Sequence, residues 1–291
     1  MAAVRVFVAC TAAERLPMRV LEFSLRENTR HQVEVAAIGD FGRSMPQPAD
    51  RRNRPRTPFS FQRFLIPELC GFQGRAIYLD ADMQVFGDID EVWSHAMAGH
   101  DLVTVTEGNS GRRGQFSVML LDCARLPWRI EDIVGGLDAG RYGYEQLMQE
   151  MCVAPHVGRT LAPAWNSLEH HEPGVTRLLH YTDMDTQPWV SRANPLGHLW
   201  VACLRRAVEA GAIPAEDVQQ AVGLGHVRPS LWAELQDPAK DRAALAALDR
   251  GFKAPYRSIR SGSASPYTSW RAAVRAWGRR GLQRLRSLSG G

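Results

Sequence analysis

The amino-acid sequence begins with two short apolar runs, residues 4–9 and 33–38, separated by an amphipathic stretch. Runs that are apolar at nearly every position are typical of strands buried on both faces of a parallel sheet. In the stretch between them, residues 13–27, the side chains of Leu16 and Val20 fall on one face at helical spacing. The order strand, helix, strand predicts an α/β fold with a parallel sheet.

Length and cysteine content narrow the class of protein. A chain of 291 residues can bury a sizeable core without disulfides or structural metals. The five cysteines are widely spaced and form no Cys-x-x-Cys pair, which argues against a disulfide framework or a zinc site. No apolar run approaches the roughly 20 residues that span a bilayer, and the apolar start is too short for a signal peptide. We therefore expect a cytoplasmic protein.

Positive charge is concentrated at the end of the chain. Residues 250–291 carry ten Lys and Arg residues, and no acidic residue follows Asp249. Residues 266–288 place tryptophans and leucines near one helical face and arginines on the other, the composition of an interfacial membrane anchor. A terminal helix packed on its own domain and a disordered tail are the alternatives. The arginines form no base-reading motif, so nucleic acid is not expected as a partner.

Two carboxylates follow a strand of large apolar residues in the middle of the chain. Asp80 and Asp82 lie at the end of the run 75–80, and strand alternation places both on the same side. In an open parallel sheet, ligands bind beyond the carboxyl ends of the strands. Carboxylates this close repel each other unless a cation or proton intervenes. Mg²⁺ and Mn²⁺ prefer carboxylate and phosphate oxygens, so the pair predicts a divalent metal site that also receives a diphosphate.

The segment 77–93, which reads Ile-Tyr-Leu-Asp-Ala-Asp and then Val-Phe-Gly-Asp-Ile-Asp-Glu-Val-Trp, resembles the Asp-x-Asp region of family 8 glycosyltransferases. The resemblance implies a GT-A (Rossmann-like) fold with a mixed, mainly parallel sheet and a helical C-terminal region. It also implies a retaining hexosyltransferase that uses a nucleotide sugar, most often a UDP-sugar, with Mn²⁺ or Mg²⁺. Donor contacts are then expected at Ala9, Cys10 and Thr11 after the first strand, and at Asp80 and Ala81.

Further motifs carry the resemblance along the chain to about residue 190. The helix before the carboxylates, 59–67, places Arg63 where the family has a basic residue that reaches the donor, and an arginine suits a diphosphate because it binds two oxygens at once. The segment around Trp165 and Asn166 resembles the family's acceptor-side Trp-Asn. The closing motif at 180–189 begins with His180, which the resemblance makes the third metal ligand beside Asp80 and Asp82.

Three motif positions depart from the family pattern. Gln115 stands where the family has a donor-binding Asn, and Ser117 replaces its Gly. Gln187 replaces the Lys that contacts the diphosphate, so a neutral hydrogen-bond donor stands in for a charge. Glu145 and Gln146 occupy the catalytic positions near the anomeric carbon, with the carboxylate moved by one residue. Retention by a front-face mechanism and retention by a covalent intermediate both stay open.

We expect one glycosyltransferase domain over residues 1–250, in which 194–250 are helical, and a basic linker and amphipathic tail over 251–291. The acceptor is expected to be a glycan or a lipid-linked saccharide, as in polysaccharide biosynthesis, with the tail peripheral on the inner face of a membrane. Two other readings compete. One is a degenerate protein that binds nucleotide sugars without turnover, and the other is a nucleotidyltransferase, although residues 10–15 contain no glycine for a phosphate loop.

Overall fold

A computed structural model of the protein describes residues 3–106 and 116–256, and its main sheet is built around the predicted first strand. The strands are β1 (Val4–Ala9), β2 (Val33–Ala37), β3 (Arg75–Asp80), β4 (Met83–Val85), β5 (Leu102–Val105), β6 (Val118–Asp122), β7 (Val157–Leu161), β8 (Ser167–Leu168) and β9 (Leu178–His180). The α-helices are α1 (Arg15–Glu27), α2 (Ile66–Leu69), α3 (Asp90–Trp93), α4 (Ile130–Asp138), α5 (Gly197–Glu209), α6 (Ala215–Gly223), α7 (Ser230–Gln236) and α8 (Arg242–Leu248).

Six strands form the main sheet in the order β2-β1-β3-β6-β5-β7. β1 pairs in parallel with β2 and β3, and β5 pairs in parallel with β7, whereas β6 runs antiparallel to both of its neighbours. A smaller sheet has the order β4-β9-β8. The α/β fold with a mixed, mainly parallel sheet is therefore confirmed.

The core lies on both faces of the main sheet, as the continuous apolar runs predicted. Along β1, Val6 and Val8 face one core cluster, and Phe7 and Ala9 face the other. This alternation buries both sides of the strand, which is what a central parallel strand requires. A third cluster joins α1 to the C-terminal helices around the fully buried Trp200. The predicted helical C-terminal region is present as α5 to α8 in the described residues.

The segment 59–70 is helical over residues 62–69, and the helix changes type within that range. A 3₁₀ helix (Gln62–Leu65) runs directly into α2, and Pro67 occupies the first turn of α2. A proline is tolerated there because the first N–H groups of a helix have no intrahelical partner. This geometry brings both Gln62 and Arg63 into the interior.

No helix in the described part of the chain is long and apolar enough to cross a membrane. Gln115, the linker at 261–266 and the amphipathic tail at 266–288 lie outside the described residues, so their predicted roles stay predictions.

Candidate active site

The carboxyl ends of β1 and β3 meet at one edge of the main sheet. Ala9 and Asp80 are register partners, so Cys10 and Thr11 leave β1 beside the point where Asp82 follows β3. Both strands run in the same direction, and ligands of open α/β sheets bind beyond such ends. The backbone after β1 is fixed by Gln62, whose amide accepts from Cys10 N at 3.0 Å and donates to Cys10 O at 3.2 Å.

The small sheet brings His180 to the two carboxylates. β4 pairs with β9 so that Met83 lies opposite His180, and Tyr181 N donates to Asp82 O at 2.9 Å. His180 Nε2 then lies 3.1 Å from Asp82 Oδ1. One ligand atom from each of Asp80, Asp82 and His180 lies within 4.8 Å of the others. The three residues predicted as metal ligands are therefore brought together.

This cluster fits a hard divalent cation. Asp82 Oδ1 is buried and has no hydrogen-bond partner in the described part of the chain, although His180 Nε2 is close by. A buried carboxylate oxygen without a donor is costly in the absence of a cation. Two carboxylates and one imidazole are a donor set that Mn²⁺ accepts, with its remaining positions left for other oxygens.

The charges around His180 act on its protonation. Burial lowers the pKa of His180, but the carboxylates of Asp82, Asp80 and Glu169 together outweigh burial and raise it above the ordinary value. Because a cation binds neutral imidazole, this raised pKa makes metal binding compete with protonation of His180.

Two neighbouring amides orient the ligands. His180 Nδ1 lies 3.0 Å from Asn166 Oδ1, and because an amide oxygen only accepts, Nδ1 carries the proton and Nε2 faces Asp82. Gln187 Nε2 donates to Asp82 Oδ2 at 3.0 Å and to Tyr181 O at 2.9 Å. The predicted donor residue Gln187 thus uses its amide hydrogens on Asp82 and the backbone. Neither role was foreseen from the sequence, because both depend on contacts between distant segments.

Removing the Asn166 amide is expected to weaken metal binding. Partners that hold the second nitrogen of a metal-binding histidine typically contribute about 10–100-fold in affinity. We expect Asn166→Ala to raise the Kd for Mn²⁺ by about this factor, and Asn166→Asp to restore most of the affinity because its carboxylate also accepts from Nδ1. Calorimetric Mn²⁺ titration of the three proteins measures the effect. Equal affinities for Asn166→Ala and the wild type would show that Asn166 does not orient His180.

Asp80 is held from the interior by Arg63 and Tyr78. Tyr78 donates its hydroxyl proton to Asp80 Oδ1, and burial raises the pKa of that hydroxyl well above its ordinary value. Arg63 is 5% exposed, and its Nη2 lies 3.5 Å from the same Asp80 oxygen. Its Nη1 donates to Phe116 O at 2.9 Å, and its guanidinium stacks over the Tyr78 ring at 4.6 Å. Arg63 therefore lies at the predicted site, where its visible contacts position Asp80.

Phe116, which accepts from Arg63, has a strained backbone. Its φ is +50°, a left-handed conformation that bulky residues rarely adopt. The ring is buried, and the guanidinium of Arg159 lies over it at 4.9 Å. Strain of this kind persists only where the surroundings enforce it. The carbonyl of this strained residue accepts from Arg63, which also contacts Asp80.

A half-buried acid and a tyrosine from the end of the described chain border the loop after β1. Glu14 Oε2 accepts from Thr11 N at 3.0 Å and from Thr11 Oγ1 at 3.1 Å, and Tyr256 Oη lies 2.6 Å from Thr11 Oγ1. Burial, and then Asp82 and Asp80, raise the pKa of Glu14 to about 8 against the two hydrogen bonds from Thr11. Tyr256 lies after the predicted domain boundary at residue 250, yet it contacts Thr11 in the loop after β1.

The raised pKa of Glu14 predicts a loss of stability in alkali. The pKa of this carboxyl is higher in the folded protein than the ordinary 4.5. Protonation of Glu14 therefore stabilises the folded state fully below about pH 4.5, and this stabilisation is lost as the pH rises through about 8. Glu14→Gln keeps the accepting oxygen and cannot ionise. In metal-free buffer we expect it to unfold roughly 3 °C above the wild type near pH 9, and at the same temperature near pH 5. Thermal unfolding at both pH values, with the exposed Glu216→Gln as control, checks this. A difference that does not change with pH would contradict it.

The predicted catalytic pair lies on an exposed turn beside the long loop at 39–58. Glu145 precedes a π-helical turn (Gln146–Glu150), and its Oε1 lies 3.8 Å from Arg56 Nη2. Gln146 Oε1 accepts from Gly143 N at 2.9 Å. From the loop, Asn53 accepts from Tyr144 N at 3.1 Å, so the loop and this turn are joined. The catalytic roles of Glu145 and Gln146 stay predictions.

The predicted acceptor-side pair divides into two environments. Trp165 is 3% exposed and packs into the core cluster beneath the sheet, so its ring offers almost no surface to an acceptor. Asn166, next in the chain, turns to His180 instead. Acceptor contact by either residue stays a prediction.

The α/β sheet and the Asp-Asp-His cluster at its carboxyl edge find counterparts among known glycosyltransferases. The model of glycosyl transferase family 8 matches residues 18–134. Protein CDI of Arabidopsis thaliana is 32% identical over 90 residues, which are 30% of this chain and 35% of that protein. The resemblance to family 8 glycosyltransferases is thereby confirmed over this part of the chain.

Solved structures show the same fold. The bifunctional glycosyltransferase WbbM in its apo form is similar with a TM-score of 0.53 and 12% identity, over 70% of this chain and 50% of that chain. The galactosyltransferase LgtC, in complex with donor and acceptor sugar analogues, is similar with a TM-score of 0.50 and 12% identity, over 72% of this chain and 96% of that chain. The fold is that of GT-A glycosyltransferases. This chain spans only about a third of the Arabidopsis protein and half of the WbbM chain.

Proposed function

We propose that the protein is a metal-dependent retaining glycosyltransferase that moves a hexose from a nucleotide sugar, a UDP-sugar, to a glycan or a lipid-linked acceptor. The observation that carries this proposal is the convergence of Asp80, Asp82 and His180 at the ligand-binding edge of a GT-A fold. These residues come from two different sheets, so their meeting is not a local feature of one turn. The match to family 8 supports the same activity.

In this proposal Asp80, Asp82 and His180 hold a divalent cation, Mn²⁺ or Mg²⁺. When bound, the cation supplies positive charge to the diphosphate leaving group. Arg63 and Tyr78 fix Asp80 from below, and Gln187 fixes Asp82 from the side. Pre-set ligands of this kind need little rearrangement during the reaction, which is the usual source of electrostatic catalysis.

The donor nucleotide is proposed to lie along the edge formed by Ala9, Cys10 and Thr11. Gln62 and Glu14 fix the polar backbone groups of this loop, so the loop is pre-organised. Ala81, 4% exposed, keeps the turn between the carboxylates close to the core. Glu145 and Gln146 are proposed to act near the anomeric carbon, with front-face and covalent retention both open.

One observation favours a second candidate function. Gln187 is uncharged, and its amide hydrogens are directed at Asp82 and Tyr181. The diphosphate would then lack the cation that the family places there, which suits a protein that binds a nucleotide sugar without turnover. Membrane contact through residues 266–288 is a separate proposal that rests on the sequence alone.

A turnover assay separates the two candidates. The protein is incubated with a panel of UDP-sugars and Mn²⁺, with and without simple saccharide acceptors, and released UDP is measured. Release that requires Mn²⁺ and is absent in Asp80→Ala/Asp82→Ala supports a transferase. Tight, metal-dependent binding without release across the panel would favour the non-catalytic protein.

A further inference from the structure

A cavity of about 760 Å³ opens in the helical C-terminal region. Its walls come from three segments: residues 188–201, residues 228–234 and residues 238–245. It does not include Asp80, Asp82 or His180, so it is distinct from the metal cluster.

The cavity has more positive charge than its acids can offset. Its lining includes two acids, and both are occupied: Glu234 pairs with the buried Arg228, and Asp241 accepts from Ala244 N at the start of α8. Arg192, Lys240 and Arg242 also line it, and in the described part of the chain none of these three pairs with a carboxylate. The chain beyond Asp249 contains no acidic residue that could neutralise them.

One wall of the cavity connects to the metal cluster. Pro188 lines the cavity and directly follows Gln187, which donates to Asp82. Asn194 lines it too, and its Nδ2 lies 3.4 Å from Glu169 Oε2. Glu169 N in turn donates to His180 O at 3.1 Å. Residues of the cavity wall are therefore linked through Gln187 and Glu169 to the proposed metal ligands Asp82 and His180.

We infer that this cavity binds the phosphate-bearing part of the acceptor. Arginine and lysine without carboxylate partners favour phosphate oxygens, and arginine binds them in pairs. The volume holds a diphosphate or a sugar phosphate with its hydration. The identification of this ligand as the acceptor rests on the proposed function, whereas the binding of a phosphate group is independent of it. The two sources of this chemistry are a phosphorylated saccharide and a lipid diphosphate.

The test uses the full-length protein and Lys240→Gln/Arg242→Gln. Both side chains are exposed and make no described side-chain hydrogen bond, so the change removes charge without breaking a contact. Arg30→Gln/Arg51→Gln, at exposed positions elsewhere, is the matched control with the same change in charge. Inorganic pyrophosphate is titrated by calorimetry in EDTA, so that the metal cluster does not contribute.

We expect the Kd for pyrophosphate to rise about 10-fold or more in Lys240→Gln/Arg242→Gln and less than about 2-fold in the control, because a charge-assisted hydrogen bond contributes on the order of one decade in affinity. Equal affinities in the two variants, or no binding by the wild type, would overturn the inference. Titration of glucose 6-phosphate and farnesyl diphosphate then identifies the source, as the one whose affinity depends on the pair.

The same proteins are titrated with UDP and Mn²⁺. Unchanged UDP binding in Lys240→Gln/Arg242→Gln is expected, because the donor edge lies outside this cavity. Loss of pyrophosphate binding with UDP binding intact supports the inference. UDP binding that fails in the wild type, with the pyrophosphate difference preserved, would reject the proposed function and leave the phosphate site standing.

Discussion

Asp82→Ala is expected to reduce the rate of sugar transfer by about 10³-fold or more, which corresponds to roughly 4 kcal/mol of transition-state stabilisation. The carboxylate offers the cluster one buried oxygen that has no hydrogen-bond partner among the described residues, and a second one oriented by Gln187. Its side chain is 25% exposed and contributes little packing. We therefore expect the melting temperature to change by only a few degrees.

The measurement is UDP release with Mn²⁺, together with a thermal unfolding scan of the same preparation. Asp132→Ala removes an exposed carboxylate on α4 and serves as the matched control. Full activity in Asp82→Ala would show that the metal assignment is wrong. A large fall in melting temperature would show instead that the residue is structural.

Arg63→Gln is expected to lower the free energy of unfolding by about 3 kcal/mol, since removing one partner of a buried ion pair leaves the other charge and its acceptors unmatched. The guanidinium contacts Asp80 and Phe116 O and stacks on Tyr78, and glutamine replaces none of these fully. Arg63→Lys is expected to recover part of the loss, because an ammonium restores the charge but not the planar fork.

Urea denaturation measures the difference, and Arg15→Gln is the control. Arg15 pairs with Asp40 at the surface, where both side chains are about half exposed, and such pairs contribute under about 1 kcal/mol. If Arg63→Gln were no more destabilising than Arg15→Gln, the guanidinium would not be holding Asp80. Activity is expected to fall as well, because Asp80 loses its support.

The parts of the fold that follow from periodicity could be predicted from the sequence. β1 was expected over residues 4–9 and is found there, because a buried strand must be apolar on both faces. α1 and the strand ending at Asp80 follow from equally regular patterns. The small sheet did not, since β4 and β8 have three and two residues and such lengths carry no detectable period.

For the Asp80–Asp82–His180 site, the sequence predicted which residues take part but not the contacts that orient them. The strand-end position indicated Asp80 and Asp82, the resemblance to family 8 added His180, and the structure brings the three together. What orients them depends on pairings between distant segments, such as Asn166 with His180. Tyr256 and Thr11, which are in contact, are separated by most of the chain, and no local sequence pattern predicts their contact.

In the proposed function, this edge of the sheet binds a nucleotide through a metal ion. Calorimetric titration of UDP into the full-length protein, with and without Mn²⁺ and repeated on Asp80→Ala/Asp82→Ala, tests it most directly. We predict binding that requires Mn²⁺ and disappears in the double variant. UDP binding of equal strength without Mn²⁺, or equal binding by the double variant, would contradict the claim.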